Sequence, residues 1–137
     1  MKKMMLLMLT AGMLMAEILW EPSFRAAQEE AKKENKPMLV ILVSHTCRWC
    51  RRLENRTLQN PQIIDFVNEN FVPVIVYRED GGYPREVIRS SMVPTTFFLT
   101  PEGKPFMKPA PGYWEPYDYI SDLRMAVKKF KKLQAPR

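Results

Sequence analysis

Cys47 and Cys50 are the two cysteines of the chain, and only Arg48 and Trp49 stand between them. Thiols at this spacing serve metal binding, a structural cross-link or thiol–disulfide exchange. A structural zinc site takes about four ligands, and the chain adds one histidine, His45, and no second cysteine pair. A staple is a weak reading too, because closing so short a loop removes little freedom from the unfolded chain. Exchange chemistry suits the pair best. One thiolate attacks a disulfide, and the other thiol attacks the resulting mixed disulfide and frees the partner.

That chemistry needs the first sulfur at the start of a helix, where unsatisfied N–H groups and the positive end of the helix dipole favour an anion. Cys47 is therefore expected as the nucleophile. Cys50, one turn later, is expected as the more buried resolving thiol, with a Cys47–Cys50 disulfide in the oxidised state. His45, Arg48, Arg51 and Arg52 add positive charge nearby. Trp49 offers a partner an apolar surface. No metal and no organic cofactor is expected, since the thiols carry the reaction themselves.

The flanking residues supply the required elements. Met38–Val43 is an unbroken apolar run, as in a strand covered on both faces. Ser44-His45-Thr46 turns into Cys47, and residues 48–57 are expected as helix. Upstream, Ser23 caps a helix over Phe24–Glu34. Downstream, Asn60-Pro61 starts another helix, and residues 71–77 form a strand. Residues 84–90 suggest a short helix and Thr95–Leu99 a third strand. An edge strand over 105–108 and a rigid, irregular stretch over 109–112 follow. An amphipathic helix over 117–133 closes the chain, with Ile120, Leu123, Val127 and Phe130 as its stripe. This order predicts an α/β sandwich whose first two strands are parallel and joined by a right-handed crossover.

The 137 residues suffice for one domain, and a hydrophobic content of 46% excludes a disordered chain. Residues 1–16 read as a secretory signal peptide: Lys2 and Lys3, an apolar run over 4–15, and Ala16 as cleavage position. The run is short of the ~20 residues that span a membrane, although an uncleaved anchor is the alternative. The domain then occupies residues 17–137. Losing Lys2 and Lys3 lowers the net charge of +6 by two, to +4, which is not the balance of a nucleic-acid binder. Lys128, Lys129, Lys131 and Lys132 offset the dipole at the end of the last helix.

Several stretches together resemble the thioredoxin-like family: residues 33–40, Cys47-Arg48-Trp49-Cys50, residues 68–74, Val93-Pro94-Thr95-Thr96, residues 101–104 and Gly112-Tyr113. The likeness is strongest to its exported branch, which includes the soluble C-terminal domain of the membrane thiol–disulfide interchange protein. The resemblance implies a central mixed β-sheet flanked by α-helices. It implies that Pro94 is cis and faces the cysteines, and that the backbone at Val93 pairs with an extended substrate segment. Where many relatives hold a buried aspartate and an aromatic before the nucleophile, this chain has Ile41 and Val43. Glu54, one turn beyond Cys50, is the substitute proton acceptor the resemblance suggests.

The expectation is an exported, periplasmic and monomeric protein-disulfide reductase or interchange enzyme. Its partners would be protein thiols and disulfides, with a membrane-bound electron donor to re-reduce it and no nucleic acid. A dithiol oxidase or isomerase on the same residues is the first alternative. A non-catalytic binding or chaperone module, favoured by the missing aspartate, is the second.

Overall fold

The computed structural model describes residues 17–136; the expected signal peptide lies outside them. Helix α1 spans Phe24–Glu34, with the Ser23 hydroxyl accepting the Ala26 N–H and Asn35 closing the helix at a left-handed φ of 52°. Strand β1 is Met38–Val43 and helix α2 is Arg48–Asn55. A 3-10 turn over Thr57–Gln59 leads to α3, Pro61–Asn70. The Asn60 side chain caps α3 by accepting the N–H groups of Gln62 and Ile63. Strands β2, Val72–Tyr77, β3, Thr95–Leu99, and β4, Pro105–Pro111, precede α4, Pro116–Gln134.

The sheet order is β2-β1-β3-β4. β1 runs parallel to β2 and antiparallel to β3, and β4 is antiparallel to β3 with two register shifts. The expected mixed sheet flanked by helices is the observed fold. Alternate β1 residues face opposite layers, as strand geometry requires. Leu39, Ile41 and Val43 share a core with Cys50 and Leu53 of α2, Ile63, Ile64 and Val67 of α3, and Tyr119, Ile120 and Leu123 of α4. Met38, Val40 and Leu42 pack with Phe24, Ala27 and Ala31 of α1 and with Ile88. All six β1 residues are buried, and each such aliphatic side chain contributes about 1.5–3 kcal/mol.

Four expectations are corrected. Residues 84–90 form no helix. The Val87 and Ile88 N–H groups return to the Pro84 carbonyl, and then the Ser90 hydroxyl takes the Met92 N–H and contacts the Thr95 hydroxyl, so side-chain bonds replace the next helical turn. Helix α2 stops at Asn55, two residues early, as the chain tightens into the 3-10 turn. β4 continues through the stretch expected to be irregular, pairing Ala110 with Thr96 and Pro111 with Thr95. Its prolines fit there because β4 is an edge strand and one side of its ladder is unused. Phe71 ends α3 rather than opening β2.

Candidate active site

β1 and β2 end side by side, with Val43 opposite Tyr77. The loops beyond those ends meet at the redox pair, where ligand sites collect in sheets with parallel strands. Cys47 is the N-cap of α2, and its Sγ accepts the N–H of Cys50 at 3.1 Å. Cys47 and Cys50 form a disulfide with Cα atoms 5.2 Å apart. As expected, Cys50 is the more buried, 1% exposed against 9% for Cys47.

The Val93–Pro94 bond is cis, and the Val93 carbonyl oxygen lies 3.7 Å from Cys47 Sγ. Among the described residues, neither the N–H nor the carbonyl of Val93 makes a backbone hydrogen bond. Pro94 is buried, and its carbonyl accepts the Gly112 N–H at 2.6 Å. Gly112 has a φ of +88°, and a Cβ there would come within 3.3 Å of Met92 Sδ. Glycine therefore lets β4 exit close to the Met92–Pro94 segment.

Beside the sulfur runs an open groove of about 440 Å³, lined by Trp49, Met92, Val93, Gly112 and Tyr113. Trp49 and Met92 are each about half exposed. The Trp49 and Tyr113 rings meet at 5.7 Å, tilted by 43°. The Arg52 guanidinium lies 5.3 Å from the first ring and 5.5 Å from the second, within cation–π range. The Tyr113 hydroxyl is buried and has no hydrogen-bond partner among the described residues.

On the other side of Cys47 lies a polar cluster. The Ser44 hydroxyl donates to the Glu79 carboxylate, whose other oxygen accepts the His45 N–H at 3.4 Å. The His45 ring stacks on Tyr77 with centroids 4.1 Å apart, and its Nε2 lies 2.9 Å from Asp80 Oδ2. The Ser44 hydroxyl, above all, holds the Glu79 carboxyl below its ordinary range; burial opposes this, and the backbone of Glu79 and then of His45, with the His45 ring, add to the lowering. The His45 ring is thus held by Asp80.

Glu54 is half-buried on α2, four residues beyond Cys50 and so on the same helix face. Burial raises its carboxyl above the ordinary range, and Arg51 partly offsets this. Glu54 forms no ion pair among the described residues, although its charge is felt at Tyr77.

The structure thus brings Cys47, Cys50, Trp49, Val93 and Pro94 together, with Glu54 behind them. Sequence reasoning missed Met92, Gly112, Tyr113 and Arg52 as groove residues, and Ser44 and Glu79 as loop anchors. Two adjacent acids, Glu79 and Asp80, just past a strand parallel to the one before the cysteines, were the available signal for the anchors.

Residues 11–133 match the protein family described as Thioredox_DsbH, a protein of unknown function, DUF255. Among curated proteins, spermatogenesis-associated protein 20 of Rattus norvegicus is 37% identical over 110 residues, covering 74% of this chain. The chain spans only 14% of that relative's length. Among solved structures, a thioredoxin from Thermus thermophilus aligns with a TM-score of 0.72 at 19% identity, over 88% of this chain and 95% of that one. A DsbH oxidoreductase aligns at 0.68 and 21%, over 87% and 90%. The oxidised C-terminal domain of DsbD from Neisseria meningitidis aligns at 0.59 and 18%, over 74% and 90%. These structural likenesses establish a thioredoxin-like fold.

Proposed function

The chain belongs to the Thioredox_DsbH family, and we propose that it is a thiol–disulfide oxidoreductase that reduces or exchanges protein disulfides through Cys47 and Cys50. The observation that carries this reading is Cys47 Sγ at the helix N-cap, 3.1 Å from the Cys50 N–H and 3.7 Å from the Val93 carbonyl. An N–H donor and the start of a helix favour a thiolate at Cys47. Among the described residues the Val93 N–H and carbonyl make no backbone–backbone hydrogen bond, which suits pairing with an extended partner strand.

In the reducing direction, the Cys47 thiolate attacks one sulfur of a substrate disulfide, and the other substrate sulfur leaves as a thiolate and takes a proton. Cys50 loses its proton, with Glu54 as acceptor, and attacks Cys47 Sγ. The Cys47–Cys50 bond forms, the mixed disulfide breaks, and the second substrate thiol departs. Two electrons have passed to the substrate. A dithiol donor, membrane-bound in this reading, returns them by the reverse exchange.

We place the protein in the periplasm as a monomer, freed from the signal peptide expected over residues 1–16. Among the described residues no helix is long and apolar enough to cross a membrane. Replacing Cys50 with serine tests the activity. Expressed in place of the native chain, Cys50→Ser should accumulate disulfide-linked adducts with partner proteins that vanish on reduction and are absent from Cys47→Ser. Without such adducts, the non-catalytic binding module becomes the better account. The equilibrium potential of the pair sets the direction: about −270 mV fits a reductase, and about −120 mV an oxidase.

A further inference from the structure

Four of the nine residues from Arg48 to Arg56 are arginines, Arg48, Arg51, Arg52 and Arg56, against one acid, Glu54. All four are exposed, and none forms an ion pair with a carboxylate among the described residues. Local helix energetics disfavour this arrangement. Arg48 opposes the positive end of the dipole, and the pair Arg48–Arg52 places like charges four residues apart on one helix face. The acids that follow β2 do not neutralise the cluster, because Glu79 holds Ser44 and Asp80 holds His45. Arg52 is fixed at the lip of the groove by its position over Trp49 and Tyr113. The surface at the redox pair is therefore an apolar trough with Arg52 at its lip, and the helix that carries Arg52 begins with Arg48 next to Cys47.

Resting on the oxidoreductase reading, we propose that the partner is a protein segment that places an apolar side chain in the groove of Trp49, Met92, Val93 and Tyr113 and acidic residues against Arg48, Arg51 and Arg52. Charge complementarity commits the site to that occupant. Basic segments are repelled, and a neutral apolar segment gains from the groove alone. The arginines also favour the Cys47 thiolate, but that effect acts on every substrate equally, whereas recognition depends on the charge of the substrate.

Three disulfide-linked peptides with one apolar core and Glu, Gln or Lys flanks separate the two effects. With the reduced full chain at low salt, the Glu peptide should react about tenfold faster than the Gln peptide, and the Lys peptide more slowly than either. The preference should shrink in concentrated salt, where charges are screened. In the Arg48→Gln, Arg51→Gln double variant the Glu-to-Gln rate ratio should fall towards one; because it is a ratio, a change in thiolate reactivity cancels. Equal rates for the three peptides would overturn the charge preference and leave the oxidoreductase reading standing. Reduction of none would overturn that reading instead. Binding of cysteine-free versions of the same peptides to the oxidised chain, followed by tryptophan fluorescence, decides the preference in either case. Tighter binding of the Glu peptide supports it, and equal binding overturns it.

Discussion

The Ser44 hydroxyl donates to the Glu79 carboxylate across 35 residues of sequence, tying the loop in front of Cys47 to the end of β2. The His45 N–H reaches the second Glu79 oxygen, and the next acid, Asp80, takes the His45 ring. Two neighbouring carboxylates thus brace two neighbouring loop residues, and the brace ends two positions before the nucleophile. The sulfur position rests on this brace as well as on the strand and helix beside it.

Replacing Glu79 with glutamine should weaken the fold at neutral pH. The Glu79 carboxyl is held below its ordinary 4.5 in the folded chain, chiefly by Ser44. A carboxyl with a depressed folded value adds stability that is present above its unfolded value and is lost as pH falls through the folded one. Urea unfolding of the native chain and of Glu79→Gln should therefore differ at pH 7 and converge in acid. A gap that persisted unchanged in acid would mean that the charge of Glu79 is not what holds the loop.

Tyr119→Phe should destabilise the chain by about 1–3 kcal/mol. The Tyr119 hydroxyl lies 2.9 Å from Thr96 Oγ1, and both residues are buried. Burial, partly opposed by the Thr96 hydroxyl, pushes the phenol well above its ordinary range, so it stays neutral and able to donate. Losing it strands the threonine hydroxyl beside Ile41, its cross-strand partner in β1. Denaturant midpoints check this, and a variant as stable as the native chain would show that the bond adds nothing net.

Short-range chemistry made much of this legible in advance. Ser23 and Asn60-Pro61 carry their capping in adjacent residues, and the six apolar residues of β1 can only be covered on both faces. The cysteine pair was readable for the same reason, since a strand before it and a helix after it set the position of both sulfurs. Long-range pairings were not readable. Ser44 finds Glu79 only because β1 and β2 end together, and the groove assembles Trp49, Met92 and Tyr113 from three separate segments. Residues 84–90 misled because helix propensity over seven residues is a weak signal, and Ser90 bonds forward to Met92 instead. In α4 the 3.6-residue period located the buried face, yet Tyr119 and Ala126 are buried while Val127 is only half covered.

In the reduced protein, Cys47 should ionise below the ordinary cysteine value of about 8.5. Its sulfur keeps the Cys50 N–H and the first turn of α2 as partners, both of which favour the anion. The alkylation rate of Cys50→Ser against pH reports Cys47 alone. A midpoint at or above the free-cysteine value would remove the helix start as its activator.

Glu54 yields a prediction with the opposite pH sense to Glu79. Burial raises its carboxyl above 4.5 in the fold. A carboxyl with a raised folded value contributes its most favourable stability at low pH, and this is lost as pH rises through the folded value. Glu54→Gln should therefore be as stable as the native chain or more stable at pH 7, with the difference vanishing in acid. If Glu54 takes the proton of Cys50, the same variant should release a mixed disulfide at least about a hundredfold more slowly. Quenched single-turnover mixing with a disulfide peptide gives the adduct lifetime. A lengthened lifetime without loss of stability separates proton transfer from a structural role, because a merely structural glutamate would alter stability and leave the lifetime alone. An unchanged lifetime would make Cys50 independent of Glu54, and this chain would then resolve its adducts without a carboxylate at either the Ile41 or the Glu54 position.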